Sequence, residues 1–336
     1  MKYLNLIVVG ICAALCTVCS CATGTGSEAV AHILGSKSEA PVFFSCKAVS
    51  ETELNFQFSK PVKVVSLHFS PALALSEVEN GSTVRVHFNG GPGPGERLTA
   101  DILAQDNNGN TINVLVPLRT KNSRIPSLRI NELRTEFSNP RCEFIELKTF
   151  GAGNLGALRV FITSNSKAPM VYEFPPVEVA RGEYITLHLR TTEAGNRDEL
   201  GSNLTESGGA NASPTARDLW IPGSTKLLRK TDVVYLLDQD DRVVDAVMLS
   251  ETADPWWNRD YFAEAAELLF KAGAWKGPDG KICSPAGAVQ TSGTTLTRTI
   301  CRDETLAENS GTAADWYITA TSSATPGSPN NPKRYN

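Results

Sequence analysis

Three glutamates stand close together in this chain: Glu132 in INEL (Ile130–Leu133), and Glu143 and Glu146 in EFIELK (Glu143–Lys148). Two carboxyl groups held roughly 5–10 Å apart across a cleft are what a glycoside hydrolase uses as its acid and its base or nucleophile. The alternative is that these are the outward-pointing residues of buried strands. In an extended strand Glu143, Ile145 and Leu147 share one face, and Phe144, Glu146 and Lys148 share the other. Glu146 then points away from Ile145 and Leu147, and Glu132, one strand away, meets it only if the register allows.

Other stretches hold chemistry in outline only. Asp238-Gln239-Asp240-Asp241 clusters carboxylates as a calcium site does, but it also reads as a solvated hairpin turn between VVYLL and RVVDAV. Asp106-Asn107-Asn108-Gly109-Asn110 lacks the spaced carboxylates and closing glutamate of a calcium loop, and is read as a turn. Ser164-Asn165-Ser166-Lys167 spells a serine-nucleophile pattern, yet Pro169 follows closely and a strand precedes it, so a loop is expected there. No GxSxG, HExxH, Walker loop or GxGxxG occurs in a supporting context. Cys46, Cys142, Cys283 and Cys301 follow the N-terminal region; Cys283 with Cys301 is the expected disulfide, because it closes a modest loop within one region. His32, His68, His87 and His188 are not clustered with the cysteines in sequence and there is no CxxC beyond that region, so no zinc, other metal or cofactor is expected.

The elements that would position these residues are short strands. Leu54, Phe56 and Phe58 alternate with polar residues, as do Val84, Val86 and Phe88, and Ile112, Val114, Val116 and Leu118. Turn chemistry bounds the runs at Asn80-Gly81, Gly90–Gly95 and Asn107–Asn110. Such spacing predicts antiparallel sandwiches. FSKPV (Phe58–Val62) and LTADILAQDNNGN (Leu98–Asn110) resemble a bacterial immunoglobulin-like domain, placed at 41–122, which implies a spacer or binding module. After Ser123–Pro126 come LRINEL, EFIELK, LRVFI, YITLHL, VVYLL and RVVDAVML, then Ala314-Asp315-Trp316 and TPGSPN (Thr325–Asn330). This ordered set resembles the lamin-tail domain, a small immunoglobulin-like β-sandwich found in nuclear lamins and in many secreted or anchored bacterial proteins. The likeness spans 126–332, with expected insertions near 190–230 and 250–312. It implies that the glutamates are structural or hydrogen-bonding groups, because that family's domains have no known catalysis of their own. The fold class expected is all-β: two tandem immunoglobulin-like sandwiches, the second with long insertions and one short helix.

That helix is read in Arg259–Gly277, where Phe262, Ala266 and Leu269, flanked by Tyr261, Ala265 and Leu268, recur at helical spacing and Gly273 is the terminator. It can cap an open end of the sandwich and bury its aromatics. Alternatively Trp256, Trp257, Tyr261 and Trp275 form a binding surface, since such side chains anchor protein or sugar at low entropy cost.

The chain has 336 residues, 32 basic and 36 acidic, which disfavours nucleic acid as a partner and makes two domains the expectation. Lys2 precedes an apolar run from Leu4 to Leu15, and Val18-Cys19-Ser20-Cys21 resembles a bacterial lipobox. Residues 1–20 are read as a lipoprotein signal peptide, Cys21 as the lipidated residue and 21–40 as a tether; cleavage after Ala22 without lipidation is the competing reading. No later run is apolar enough, over roughly 18 residues, to span a bilayer. The expectation is an exported, non-enzymatic lipoprotein, anchored through its acyl chain to the bacterial cell envelope at the outer membrane, its periplasmic face or the cell surface. It would bind, adhere or scaffold through a protein or polysaccharide partner. The alternative is an accessory subunit of an extracellular hydrolase or nuclease supplied by a separate chain. Nothing in the sequence sets the oligomeric state.

Overall fold

A computed structural model describes residues 39–163 and 169–335. Cys21, the signal segment, nearly all of the tether and Ser164–Lys167 lie outside the described residues. The described chain is all-β apart from one α-helix and two 3-10 turns, and its apolar side chains fall into two separate cores.

The first core belongs to one sheet folded over on itself. It comprises β1 (Phe43–Ser50), β2 (Glu53–Ser70), β3 (Leu75–Glu79), β4 (Gly81–Phe88), β5 (Arg97–Asp106) and β6 (Thr111–Arg119). The order is β3-β4-β2-β5-β6, with β1 also on β2, and every pairing is antiparallel. Strand β2 is long enough to pair with β1 and β4 through its first half and with β5 through its second. Leu54, Phe56, Phe58, Val84 and Val86 are buried, as their alternation predicts.

The second core lies between two sheets. One has the order β14-β13-β8-β7-β18-β19: Ala216–Trp220, Tyr184–His188, Phe144–Thr149, Leu128–Arg134, Ile300–Arg302 and Trp316–Ile318. The facing sheet is β11-β10-β15-β16-β17: Met170–Glu173, Arg159–Ile162, Asp232–Leu237, Val243–Ser250 and Val289–Gln290. A two-stranded ribbon joins β9 (Gly153–Asn154) to β12 (Glu178–Val179). Ile130, Leu133, Ile145 and Leu147 meet Val160, Ile162, Val234 and Leu236 in the shared core. Both supposed insertions contribute sheet: β14 joins β13 in parallel, and β18 sits between β7 and β19. The second supposed insertion is therefore partly integral to the sandwich.

Helix α1 (Asp260–Lys271) lies against β15 and β16 and buries Phe262, Ala265, Ala266 and Leu269. It ends where Gly273 takes a left-handed φ of 69° and Ala274 N–H turns back to Leu269 O at 2.9 Å. Leu268 and Phe270 face out.

The two cores meet at a polar seam. Asn122, nearly buried, donates through Nδ2 to Asn154 O at 2.9 Å and Gly156 O at 2.7 Å. The turn Asp238–Asp241, expected to be solvated, instead grips the linker. Gln239 donates to Thr120 O and accepts from Asn122 N–H, and Asp240 pairs with Lys121 at 2.6 Å. Arg119 forms an ion pair with Glu173, and Arg124 with Glu178. Gly95 and Gly156 touch through their backbones: a Cβ on Gly95 would lie 2.5 Å from Gly156 C. The Asp106–Asn110 stretch is a turn, with the Asp106 carboxylate accepting from Asn108 and Asn110 N–H at 2.9 Å.

Candidate functional site

The register brings Glu132 directly opposite Glu146 on β7 and β8. A bulge between Ile130 and Glu132 sets this pairing. Both side chains leave the apolar core for the other face of the sheet, as alternation requires, but that face is not open. Each glutamate is 0% exposed, because the C-terminal segment folds across them. Thr299 Oγ1 donates to Glu132 Oε1, and Thr325 N–H donates to Glu132 Oε2 at 3.1 Å. Gly327 N–H donates to Glu146 Oε2 at 2.6 Å, and Asn131 Nδ2 to Glu146 Oε1 at 3.0 Å. Asn330 closes the cover by donating to Asn131 O at 3.1 Å and Arg302 O at 2.9 Å.

Electrostatics follow the burial. Loss of solvent, then the neighbouring Glu132 charge, push Glu146 up to about 8. Burial also raises Glu132, against the hydrogen bonds it accepts. Both carboxyls are thus raised by the same burial, Glu146 further by its neighbour's charge. A like-charged carboxyl pair sharing a proton can serve acid–base chemistry where a substrate reaches it. Here peptide N–H, hydroxyl and amide groups fill the positions around it.

The same network extends to the other motifs. Asp245, in VVDAV, accepts from Ile130 N–H at 2.7 Å and pairs with Arg302 Nη2 at 2.6 Å. Arg302 Nε donates to Ile130 O at 2.7 Å, and its guanidinium lies 4.4 Å from the Trp316 ring centre. Burial raises Asp245 despite its arginine. Glu143, at the start of EFIELK, is also 0% exposed and is held by a two-pronged ion pair with Arg190.

A second constellation escaped the sequence reading. His188, at the end of β13, lies 3.6 Å through Nδ1 from Cys142 Sγ and 2.7 Å through Nε2 from Asp218 Oδ1. The expectation that His188 stands apart from the cysteines is thus corrected: the turn into β8 brings Cys142 beside β13, and β14 brings in Asp218. Thiol, imidazole and carboxylate in this order are what a cysteine nucleophile needs. The surroundings work against that chemistry. Cys142 is 0% exposed and its thiol is pushed up to about 12 by burial, whereas a reactive thiol needs access and a lowered value. Burial lowers His188 despite its Asp218 bond, and the Trp220 ring stacks on it at 3.8 Å. With a neutral ring, an Nε2–H donating to Asp218 leaves Nδ1 to accept the Cys142 S–H.

The expected disulfide is a correction: Cys283 and Cys301 are both free thiols, as are Cys46 and Cys142. Cys283 donates to Ser284 O at 3.2 Å beside the helix region, while Cys301 sits mid-sheet opposite Glu132 and Tyr317, with Thr299 Oγ1 3.8 Å from its sulfur. Nearness in sequence did not bring the two sulfurs together because β18 is pulled into the sheet. The aromatic surface is also smaller than expected. Trp275 is 2% exposed and belongs to the core, and Trp257 is half-buried, donating to Cys283 O at 2.8 Å and packing on Phe262. Tyr261 is half-buried against Phe262. Only Trp256, 77% exposed, stands free of the four. Among the described residues, no group of His, Cys, Asp and Glu is arranged to hold a metal ion.

Fold and site together define an all-β sandwich protein whose acidic motif residues lie inside a sealed polar network. Residues 126–318 match the family described as "protein second domain", which takes in more than half of the chain, and the chain belongs to that family. It is 28% identical over 209 residues to an "uncharacterized protein" of Treponema pallidum (strain Nichols), covering 59% of this chain and 52% of the relative. The match thus spans about half the relative's length.

Proposed function

We propose that this chain is a non-enzymatic envelope lipoprotein, acylated at Cys21, whose sandwiches act as a binding, adhesion or scaffolding module for a protein or polysaccharide. The observation that carries the reading is the burial of the Glu132–Glu146 and Cys142–His188–Asp218 clusters in the second core. Glu132, Glu146 and Cys142 are 0% exposed and His188 1%, each with its partners supplied by the fold. Among the described residues the most exposed large aromatic is Trp256, on the segment leading into α1. Rigid indoles in that setting serve contact rather than turnover. The lamin-tail likeness is part of the proposal; it is supported by the convergence of INEL, EFIELK, VVDAV and TPGSPN on one hydrogen-bonded network.

The test is a fractionation and protease-accessibility experiment on cells expressing the full chain and its Cys21→Ala variant. The proposal expects the first to stay with membranes and the second to be released. Equal release of both would sink the anchor. For the binding surface, Trp256→Ala is expected to fold normally yet lose attachment to isolated envelope material; undiminished attachment removes Trp256 from the reading.

A further inference from the structure

Four arginines are buried among the described residues: Arg134, Arg190, Arg217 and Arg302. Three hold a carboxylate, with Arg190 on Glu143, Arg217 on Glu183 and Arg302 on Asp245. Arg134 does not. It closes β7 at 7% exposure, its Nε has no hydrogen-bond partner, and its Nη1 reaches only Cys142 O and Asn211 Oδ1, each at 3.4 Å. Glu132, two residues before it, acts on Arg134 through its charge but gives its oxygens to Thr299 and Thr325. A buried charge is costly unless it is paired and hydrogen-bonded.

Arg134 lines a hollow of about 240 Å³ at the end of the sheet, shared with Arg141, His188 and Asn211. None of the residues lining it is acidic. Arg141 is exposed at the rim, and the Phe144 ring lies 4.9 Å from the Arg134 guanidinium, holding its plane. Pro214 and Pro326 stiffen the wall. Two guanidinium groups on a hollow with no acidic lining suit an anion with two or more oxygens, because the guanidinium fork matches such groups. The volume suits a single anionic group or one sugar-sized unit, not a polymer.

We propose that this hollow binds a small oxyanion group, the phosphate or carboxylate of a ligand, gripped by Arg134 with Arg141 at the mouth. This deepens the binding reading by naming a ligand chemistry, and it uses residues remote in sequence from Trp256. Lost attachment in Trp256→Ala and lost anion binding in Arg141→Gln are therefore separate results.

The experiment titrates the full chain, in phosphate-free buffer of low ionic strength, with inorganic phosphate and separately with glucuronate, following heat and melting temperature. Saturable binding of at least one is expected, with none from chloride at matched ionic strength. Binding of phosphate alone or glucuronate alone identifies the group. Arg134→Met and Arg141→Gln should each weaken binding about tenfold or more, as loss of a charge-assisted contact implies. The Arg134→Met variant is checked by its melting temperature without anion, since it also removes the positive charge that acts on Glu132. Should that variant fail to fold, the exposed Arg141→Gln decides. No saturable binding of either anion, or wild-type affinity in Arg141→Gln, overturns the proposal.

Discussion

Glu146 titrates far from an ordinary glutamate, and the direction of its effect on stability follows. Its folded value is raised to about 8 from 4.5, so between those values the folded chain binds more protons than the unfolded one. Its contribution is complete below 4.5 and lost as pH rises through about 8. Relative to Glu146→Gln, wild type should therefore lose stability steadily across that window, read by denaturant melts at several pH values; a constant difference would show that Glu146 is ionised in the fold. His188 acts in the opposite direction. Its folded value is lowered from 6.5, so its contribution is present above 6.5 and lost as pH falls below it. Replacement with Gln should flatten that acid limb. Glu143 poses a simpler case. Glu143→Ala leaves Arg190 buried without its carboxylate and should cost about 3–5 kcal/mol in denaturant unfolding.

At the scale of elements, the C-terminal segment is a cover that satisfies strand residues far earlier in the chain. Asn330 reaches both β7 and β18, and Gly327, with φ of 79°, delivers its N–H to Glu146. Asn330→Ala strips donors from two buried carbonyls and should cost about 1–3 kcal/mol, with faster hydrogen exchange at Gly327 and Thr325. Unchanged exchange would mean the cover is held elsewhere. Helix α1 was legible from its spacing and its terminating glycine, because both are local properties of the chain. The role of β18 was not. Three residues carry too little alternation to announce a strand, and β18 is defined by its partners β7 and β19.

Across the whole molecule, the linker is a clamped joint rather than a free hinge. Asn122, Gln239 and the Lys121–Asp240 pair bind the two sandwiches across sequence separations that no local pattern reveals. Asn122→Ala removes two buried hydrogen bonds. It should raise the rate of tryptic cleavage at Lys121 and Arg124 and enlarge the radius of gyration in solution scattering, while the melting of each core changes little. Unaltered cleavage and size would show that the Arg119–Glu173 and Arg124–Glu178 pairs suffice.

Strand alternation, turn residues and helical spacing are written in neighbouring residues, so the all-β class, the helix limits and the two faces of EFIELK follow from the sequence alone. The register that sets Glu132 against Glu146 and the loop that seals both depend on a segment far along the chain. Burial of Trp275, the Cys142–His188–Asp218 contact and the setting of Arg134 likewise exist only once distant strands share a sheet. Their environment is set by which strands become neighbours, and that choice belongs to the packing of the whole core.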